Sequence, residues 1–245
     1  MRLKGKRAIV TGGASGFGAG IVRKFAAEGA DVIVVDLNRD AADAIAQEIG
    51  GTALQCDVGD GASVADMAET VLGAGPLDIL VNNAGITHLP APMEDVTEDD
   101  FDRVMRVNMK SVYLTARAFV PHFKSRKTGA ILNVASTAGV SPRPRRNWYN
   151  ASKGWMITAT KAMAVELAPD GVRVNAINPV AGETPLLKSF MGEDTPQMRA
   201  KFLSTIPIGR FSTPEDMGNA ACFLCSDEAA MITGVALEVD GGRCI

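Results

Sequence analysis

The stretch RAIVTGGASGFG, residues 7–18, runs a short apolar segment straight into a turn that holds Gly12, Gly16 and Gly18. RAIVT has the β-branched, apolar character of a buried strand, and Phe17 to Glu28 carry a helical pattern. Glycine at such a junction permits a tight turn, lets backbone approach a pyrophosphate and lets helix and strand pack closely. The following helix offers free N–H groups and a partial positive charge. The spacing is GxxxGxG, not the GxGxxG of many dinucleotide folds, and a plain strand-to-helix connection also accepts glycine. Asp36 narrows the reading. It closes the next strand, DVIVVD, roughly twenty residues beyond the turn. A carboxylate there accepts hydrogen bonds from both hydroxyls of an adenosine ribose and repels a 2′-phosphate. No Lys or Arg lies between Gly12 and Gly18 to neutralise such a phosphate. The expected cofactor is NAD(H) in preference to NADP(H), with a solvated strand-end Asp as the alternative.

Outward from this turn the alternation continues along the chain. Strands are predicted at Arg7–Thr11, Asp31–Asp36, Ala53–Val58, Ile79–Asn82, Gly129–Ala135, Val172–Asn178 and Ala236–Val239. Between them, helices are predicted at Phe17–Glu28, Arg39–Ile49, Ala62–Leu72, Thr97–Lys124, Ala151–Leu167 and Thr213–Cys225. Thr213 can cap the last of these, with Pro214 in its first turn. Near-continuous apolar runs such as DVIVVD belong to strands buried on both faces. The expected class is α/β, a doubly wound Rossmann fold: a parallel sheet of about seven strands with helices on both faces. No Pro/Ser-rich linker divides the chain, so residues 1–245 are expected to form one domain. The stretch 182–208 breaks the alternation. A long irregular insert in so regular a chain is expected to be a lid over a binding site.

Composition removes several function classes. The formal net charge of −3 gives no general attraction to nucleic acid or anionic membrane, and no aromatic platforms interleave with the basic residues. No apolar run approaches the ~18 residues that span a bilayer. The first residues reach the glycine turn too soon for a signal peptide's apolar core, so a cytoplasmic location is expected. Of Cys56, Cys222, Cys225 and Cys244, only Cys222 and Cys225 form a CxxC, and His88 and His122 do not obviously complete a zinc site. Buried thiols in a reducing compartment, and no metal, are expected.

Downstream, SPRPRRNWYNASKG (residues 141–154) sets Tyr149 and Lys153 four residues apart, one helical turn, so that an ammonium lies beside a phenol. A free tyrosine has a pKa near 10, and service as a base near neutral pH asks for a shift of about 4 kcal/mol. A neighbouring cation pushes in that direction. With TGGASGFG, Asp57, NNAG at 82–85, Asn108, Ser136 and Tyr149-x-x-x-Lys153 in this order, the sequence resembles the short-chain dehydrogenase/reductase family over essentially its whole length. The resemblance implies hydride transfer between a secondary alcohol and nicotinamide. Tyr149 would be the acid/base, Lys153 would tune it and hold the nicotinamide ribose, Ser136 would hold the substrate oxygen, and Asn108 would anchor a relay water. It further implies cofactor contacts at Gly12, Ser15, Gly16, Phe17, Gly18, Asp36, Leu37, Asp57, Val58, Asn83, Ala84, Gly85, Pro179, Gly182 and Thr184, and a homotetramer. One departure stands out: the family commonly has Pro-Gly where this chain has Pro179-Val180, which is expected to add bulk near the nicotinamide.

Family likeness leaves the substrate open. Leu186, Leu187, Phe190, Met191, Met198, Phe202 and Leu203 make the expected lid apolar, either as a covering for substrate or packed among themselves. Hydroxyacyl and cyclic alcohols are expected ahead of sugars such as glucose. A 3-oxoacyl-[acyl-carrier-protein] reductase is the main alternative, opposed by Asp36 and by Asp170 where such relatives carry a basic residue for their acidic carrier. An inactive nucleotide sensor would not need all four catalytic residues. Arg143, Arg145 and Arg146 lie just before Tyr149 and are expected near the mouth of the site, either as a solvated loop or as a doorway for a carboxylate or phosphate.

Overall fold

The computed structural model describes residues Met1–Ile245. Seven strands, β1 (Arg7–Thr11), β2 (Asp31–Asp36), β3 (Thr52–Gln55), β4 (Ile79–Asn82), β5 (Gly129–Val134), β6 (Val172–Pro179) and β7 (Ala236–Val239), form one parallel sheet in the order 3-2-1-4-5-6-7. The helices α1 (Gly16–Ala27), α2 (Arg39–Ile49) and α9 (Pro214–Cys225) cover one face, where Ile21, Phe25, Ile45 and Met217 are buried with Val10 and Val34. Helices α3 (Gly61–Gly73), α5 (Ser111–Arg126) and α6 (Asn147–Leu167) cover the other, burying Val64, Phe119, Phe123 and Leu167 with Ile9 and Val35. Successive strand residues point to opposite faces, so covering both faces demands the unbroken apolar runs seen in β1 and β2. Thr213 caps α9 by accepting from the Asp216 N–H, and the Asp216 carboxylate accepts from the Thr213 N–H in return.

Four sequence expectations shift. The helix expected over Thr97–Lys124 is α4 (Glu98–Met105) and α5, joined by a wide π-type turn at Arg106–Lys110 that carries Asn108 inward. Such turns are invisible to a 3.6-residue periodicity and frequent at functional sites. Helix α6 starts at Asn147, four residues earlier than expected, so Tyr149 lies in its first turn. The insert 182–208 is not irregular: it folds into α7 (Leu187–Met191) and α8 (Pro196–Leu203), the latter capped by Thr195. The third strand ends at Gln55, placing Asp57 and Val58 in the loop that follows.

Candidate active site

The strand order reverses between β1 and β4, and an open α/β sheet has its crevice beyond the strand ends at that point. Here the β1 and β4 loops are stitched together. The Asn83 amide donates to the carbonyls of Thr11 and Gly12, both at 2.9 Å, and the Thr11 hydroxyl accepts from the N–H groups of Asn83 and Ala84. Gly12 and Gly16 take φ of 62° and 50°, the left-handed region that disfavours side chains. A Cβ on Gly18 would lie 2.0 Å from the Gly12 carbonyl oxygen, so no side chain fits there. A Cβ on Gly16 would meet Thr184 at 3.2 Å, which places Thr184 over the turn. The exposed Ser15 starts α1 without a side-chain cap, leaving the first N–H groups of the helix free for an anion. One Asp36 oxygen accepts from the Ala14 N–H at 3.2 Å and the other from the Asn38 N–H at 3.1 Å, aligning the carboxylate with lone pairs to spare. Leu37 beside it is exposed. This cradle fits a dinucleotide. Asp57 is already engaged, with Arg106 at 2.9 Å and the Gly59 N–H at 2.9 Å, and the Val58 side chain is buried in the core.

Tyr149 and Lys153 are both buried on α6, with the Lys153 Nζ 5.9 Å from the Tyr149 ring centroid. Lys153 donates to the Val134 carbonyl at 2.8 Å, which leaves two N–H bonds free. Its approach depends on Gly85, where a Cβ would lie 3.3 Å from that nitrogen. Burial pushes the Lys153 ammonium down to about 8. The same burial pushes the Tyr149 phenol up to about 12, while the Ser136 hydroxyl and the Arg146 charge work in the opposite direction. Ser136 caps the short turn Thr137–Gly139, accepting from the Ala138 N–H at 3.0 Å, and its own proton is free to donate. Asn108 is fully buried: its amide donates to the Ile86 carbonyl and the Ser152 hydroxyl and its oxygen accepts from the Ile86 N–H. One lone pair on Oδ1 is left over.

The bulk of Val180 does not intrude on the crevice. Its side chain is buried with Leu187, Met191, Ile206 and Phe211, so it anchors the 182–208 segment instead. Close approach is provided two residues on by Gly182, where a Cβ would lie 2.3 Å from the Phe17 ring. Most of the expected apolar covering, Met198, Phe202 and Leu203 included, packs into that same cluster. Leu186 and Phe190 lie outside it, and Phe190 meets Tyr149 edge-on at 5.1 Å between centroids. The arginines divide: Arg143 and Arg145 are exposed and Arg146 is buried. Sequence reasoning missed a buried polar chain, Thr115 to Asn82 to Asn133 to Thr160, that links α5, β4, β5 and α6 beneath the crevice. Its signal was present, since asparagine is disfavoured inside apolar strands and Asn82 and Asn133 pair in register. Cys222 and Cys225 are buried in the core on α9, as a pair of structural thiols.

Comparison with known proteins agrees with this architecture. Residues 12–243 match the family described as enoyl-(acyl carrier protein) reductase. The chain is 53% identical to a 4-formylbenzenesulfonate dehydrogenase of Comamonas testosteroni, over 100% of both chains. It is 40% identical to a D-threitol dehydrogenase of Mycolicibacterium smegmatis, over 100% of this chain and 95% of that one. Among solved structures, a 3-ketoacyl-(acyl-carrier-protein) reductase from Brucella melitensis complexed with NADH superposes with a TM-score of 0.95 at 50% identity, covering 99% of this chain and 100% of that one. The chain therefore belongs to the short-chain dehydrogenase/reductase family and is a nicotinamide-dependent oxidoreductase acting on the CH–OH group.

Proposed function

We propose that the protein interconverts a small secondary alcohol and its ketone with NAD(H), using Tyr149, Lys153, Ser136 and Asn108. The observation that carries this reading is the burial of Tyr149 and Lys153 side by side on α6, next to the Ser136 hydroxyl. When bound, the nicotinamide takes up or supplies the hydride and, oxidised, adds a positive charge. Tyr149 takes the hydroxyl proton in oxidation and returns it in reduction. Its phenol at about 12 suits the acid role as it stands, and nearby positive charge lowers it toward the base role. Ser136 donates its free proton to the substrate oxygen, and Lys153 offers its two spare N–H bonds to the nicotinamide ribose. The free lone pair of Asn108 holds a water through which Tyr149 and Lys153 exchange protons with solvent.

NAD(H) follows from Asp36, whose aligned carboxylate repels a 2′-phosphate, and the NADH complex of the Brucella relative supports it. A homotetramer is supported by large apolar residues left exposed on the outer faces of α5 and α6: Tyr113 at 54%, Trp155 at 36% and Val165 at 80%. Four free cysteines fit a cytoplasmic location, and no helix is long and apolar enough to cross a membrane. A carrier-linked 3-oxoacyl reductase is the second reading, favoured by the Brucella relative. Asp36 stands against it; Asp170 does not, because Lys127 and Lys124 pair with its carboxylate and leave no net negative charge to oppose an acidic carrier. A sugar-type alcohol, supported by the threitol relative, ranks third. The Comamonas relative's small ring-bearing compound supports a cyclic substrate.

Replacing Tyr149 by Phe tests the assignment. Turnover is expected to fall by at least about 10³-fold while NADH binding, followed by fluorescence, persists. Unchanged turnover would overturn the reading.

A further inference from the structure

Arg146 is 8% exposed, yet its guanidinium has no carboxylate partner and donates no hydrogen bond within the protein. Its Nη1 is enclosed and unpartnered. The neighbouring backbone explains the burial. Arg145 takes φ 65°, a left-handed conformation, and its carbonyl accepts from the Ala91 N–H at 3.0 Å. This reversal sends Arg145 outward and turns Arg146 inward at the entry to α6. There the guanidinium lies 4.9 Å from the centroid of the Phe190 ring, the same ring that meets Tyr149. Phe190 thus bridges Arg146 and the proton-exchange group.

A buried cation without a counter-ion is costly, and one aromatic face recovers only part of that cost. Burial pushes the Arg146 guanidinium down to about 10, so it is still charged at neutral pH. The N-terminus of α6 adds to the field, since it has no side-chain cap and no acidic residue in its first turn. The planar fork of a guanidinium matches an oxyanion bidentately. The Phe190 ring centroid lies 4.9 Å from the guanidinium and 5.1 Å from the Tyr149 ring, which limits the span between those two groups to about 10 Å. A six-membered ring or a short chain bridges that span.

We propose that Arg146 is a specificity-determining residue that receives a carboxylate or sulfonate carried by the substrate, on the far side of a ring or short chain from the carbinol carbon. The proposal rests on the alcohol–ketone reading of the Tyr149 site and names the substrate class within it. Phe190 then works as a shared wall, with one part against the anion's partner and its edge against the acid/base.

The test uses three para-substituted 1-phenylethanols with the full chain and NAD⁺: 4-(1-hydroxyethyl)benzoate, 4-(1-hydroxyethyl)benzenesulfonate and the neutral 1-(4-methylphenyl)ethanol. The wild type is expected to favour at least one anion over the neutral alcohol by tenfold or more in kcat/KM, and the better arm identifies carboxylate or sulfonate. In Arg146→Gln that ratio is expected to fall at least tenfold, mainly through KM, and Arg146→Lys should retain part of it. Absence of an anion preference in the wild type, or an unchanged ratio in Arg146→Gln, overturns the proposal. Calorimetry separates its failure from that of the alcohol reading. Tyr149→Phe with NADH should bind 4-acetylbenzoate or 4-acetylbenzenesulfonate more tightly than 4-methylacetophenone, and adding Arg146→Gln should remove the difference. Anion-selective binding without turnover by the wild type would sink the alcohol reading and leave the anion site standing.

Discussion

Lys153 donates a hydrogen bond to the carbonyl oxygen of Val134 at 2.8 Å, tying the first third of α6 to the end of β5 in the buried interior. Burial holds its ammonium at about 8 against 10.5 for the exposed side chain. Between those values the unfolded chain binds the proton and the folded chain does not, so native stability rises with pH across that window. The penalty is complete below about pH 8 and absent above 10.5, and amounts to about 3 kcal/mol. Lys153→Met removes it. Urea unfolding of both proteins at pH 7 and pH 9.5 should show the wild type gaining on the variant by most of that amount; parallel stabilities would contradict the burial effect.

Asp36→Ala is expected to narrow the preference for NAD⁺ over NADP⁺ by at least tenfold, about 1.4 kcal/mol. The carboxylate also orders the Ala14 and Asn38 backbone, so the affinity for both cofactors should fall. The informative quantity is the ratio of the two kcat/KM values. A wild type that already prefers NADP⁺ would show that the carboxylate does not select.

Gly18→Ala sets a methyl against the Gly12 carbonyl at 2.0 Å and the Asn83 amide at 2.5 Å. Both are parts of the stitched β1–β4 crevice and neither can swing away. Destabilisation of about 3 kcal/mol is expected, with loss of NADH binding. A variant with wild-type Tm and affinity would mean the turn is looser than its contacts require.

Arg145 occupies left-handed backbone space that favours glycine. Arg145→Gly should leave stability unchanged or raise it by up to ~1 kcal/mol, whereas Arg145→Val should lower it by about 1–2 kcal/mol. Thermal unfolding of the pair checks the ordering. Valine equal to glycine would show that this turn does not set the direction of Arg146.

Much of the site was legible because its chemistry is local in sequence. The glycine turn and the Asp36 strand end are read from spacing, and Tyr149 and Lys153 share a helix face by the pitch of the helix alone. Asn108 was named, but its position in a wide turn was not, since one extra residue per turn leaves no trace in an amphipathic pattern. The lid residues were identified as apolar, but whether they face substrate or each other is a matter of packing. Phe190 is the one seen against Tyr149. Arg145 and Arg146 are adjacent and chemically identical, and no sequence rule sends one out and the other in. That difference comes from a backbone reversal held by Ala91, more than fifty residues away in the chain.

The sequence by itself determined the doubly wound class and the order of the strands in the chain, because a two-faced parallel sheet requires continuous apolar runs separated by helices. It also determined that Tyr149 and Lys153 share a helix face and that Asp36 closes a strand, the placements on which the proposed acid/base pair and ribose carboxylate rest. The tertiary structure decided where the charges sit relative to water. Burial drives Tyr149 up and Lys153 down, and it leaves Arg146 a cation without a carboxylate partner against Phe190, the ring that meets Tyr149. Desolvation depends on which segments close over a group, and here those segments come from β5, the loop after β4, and α7, which only the fold brings together.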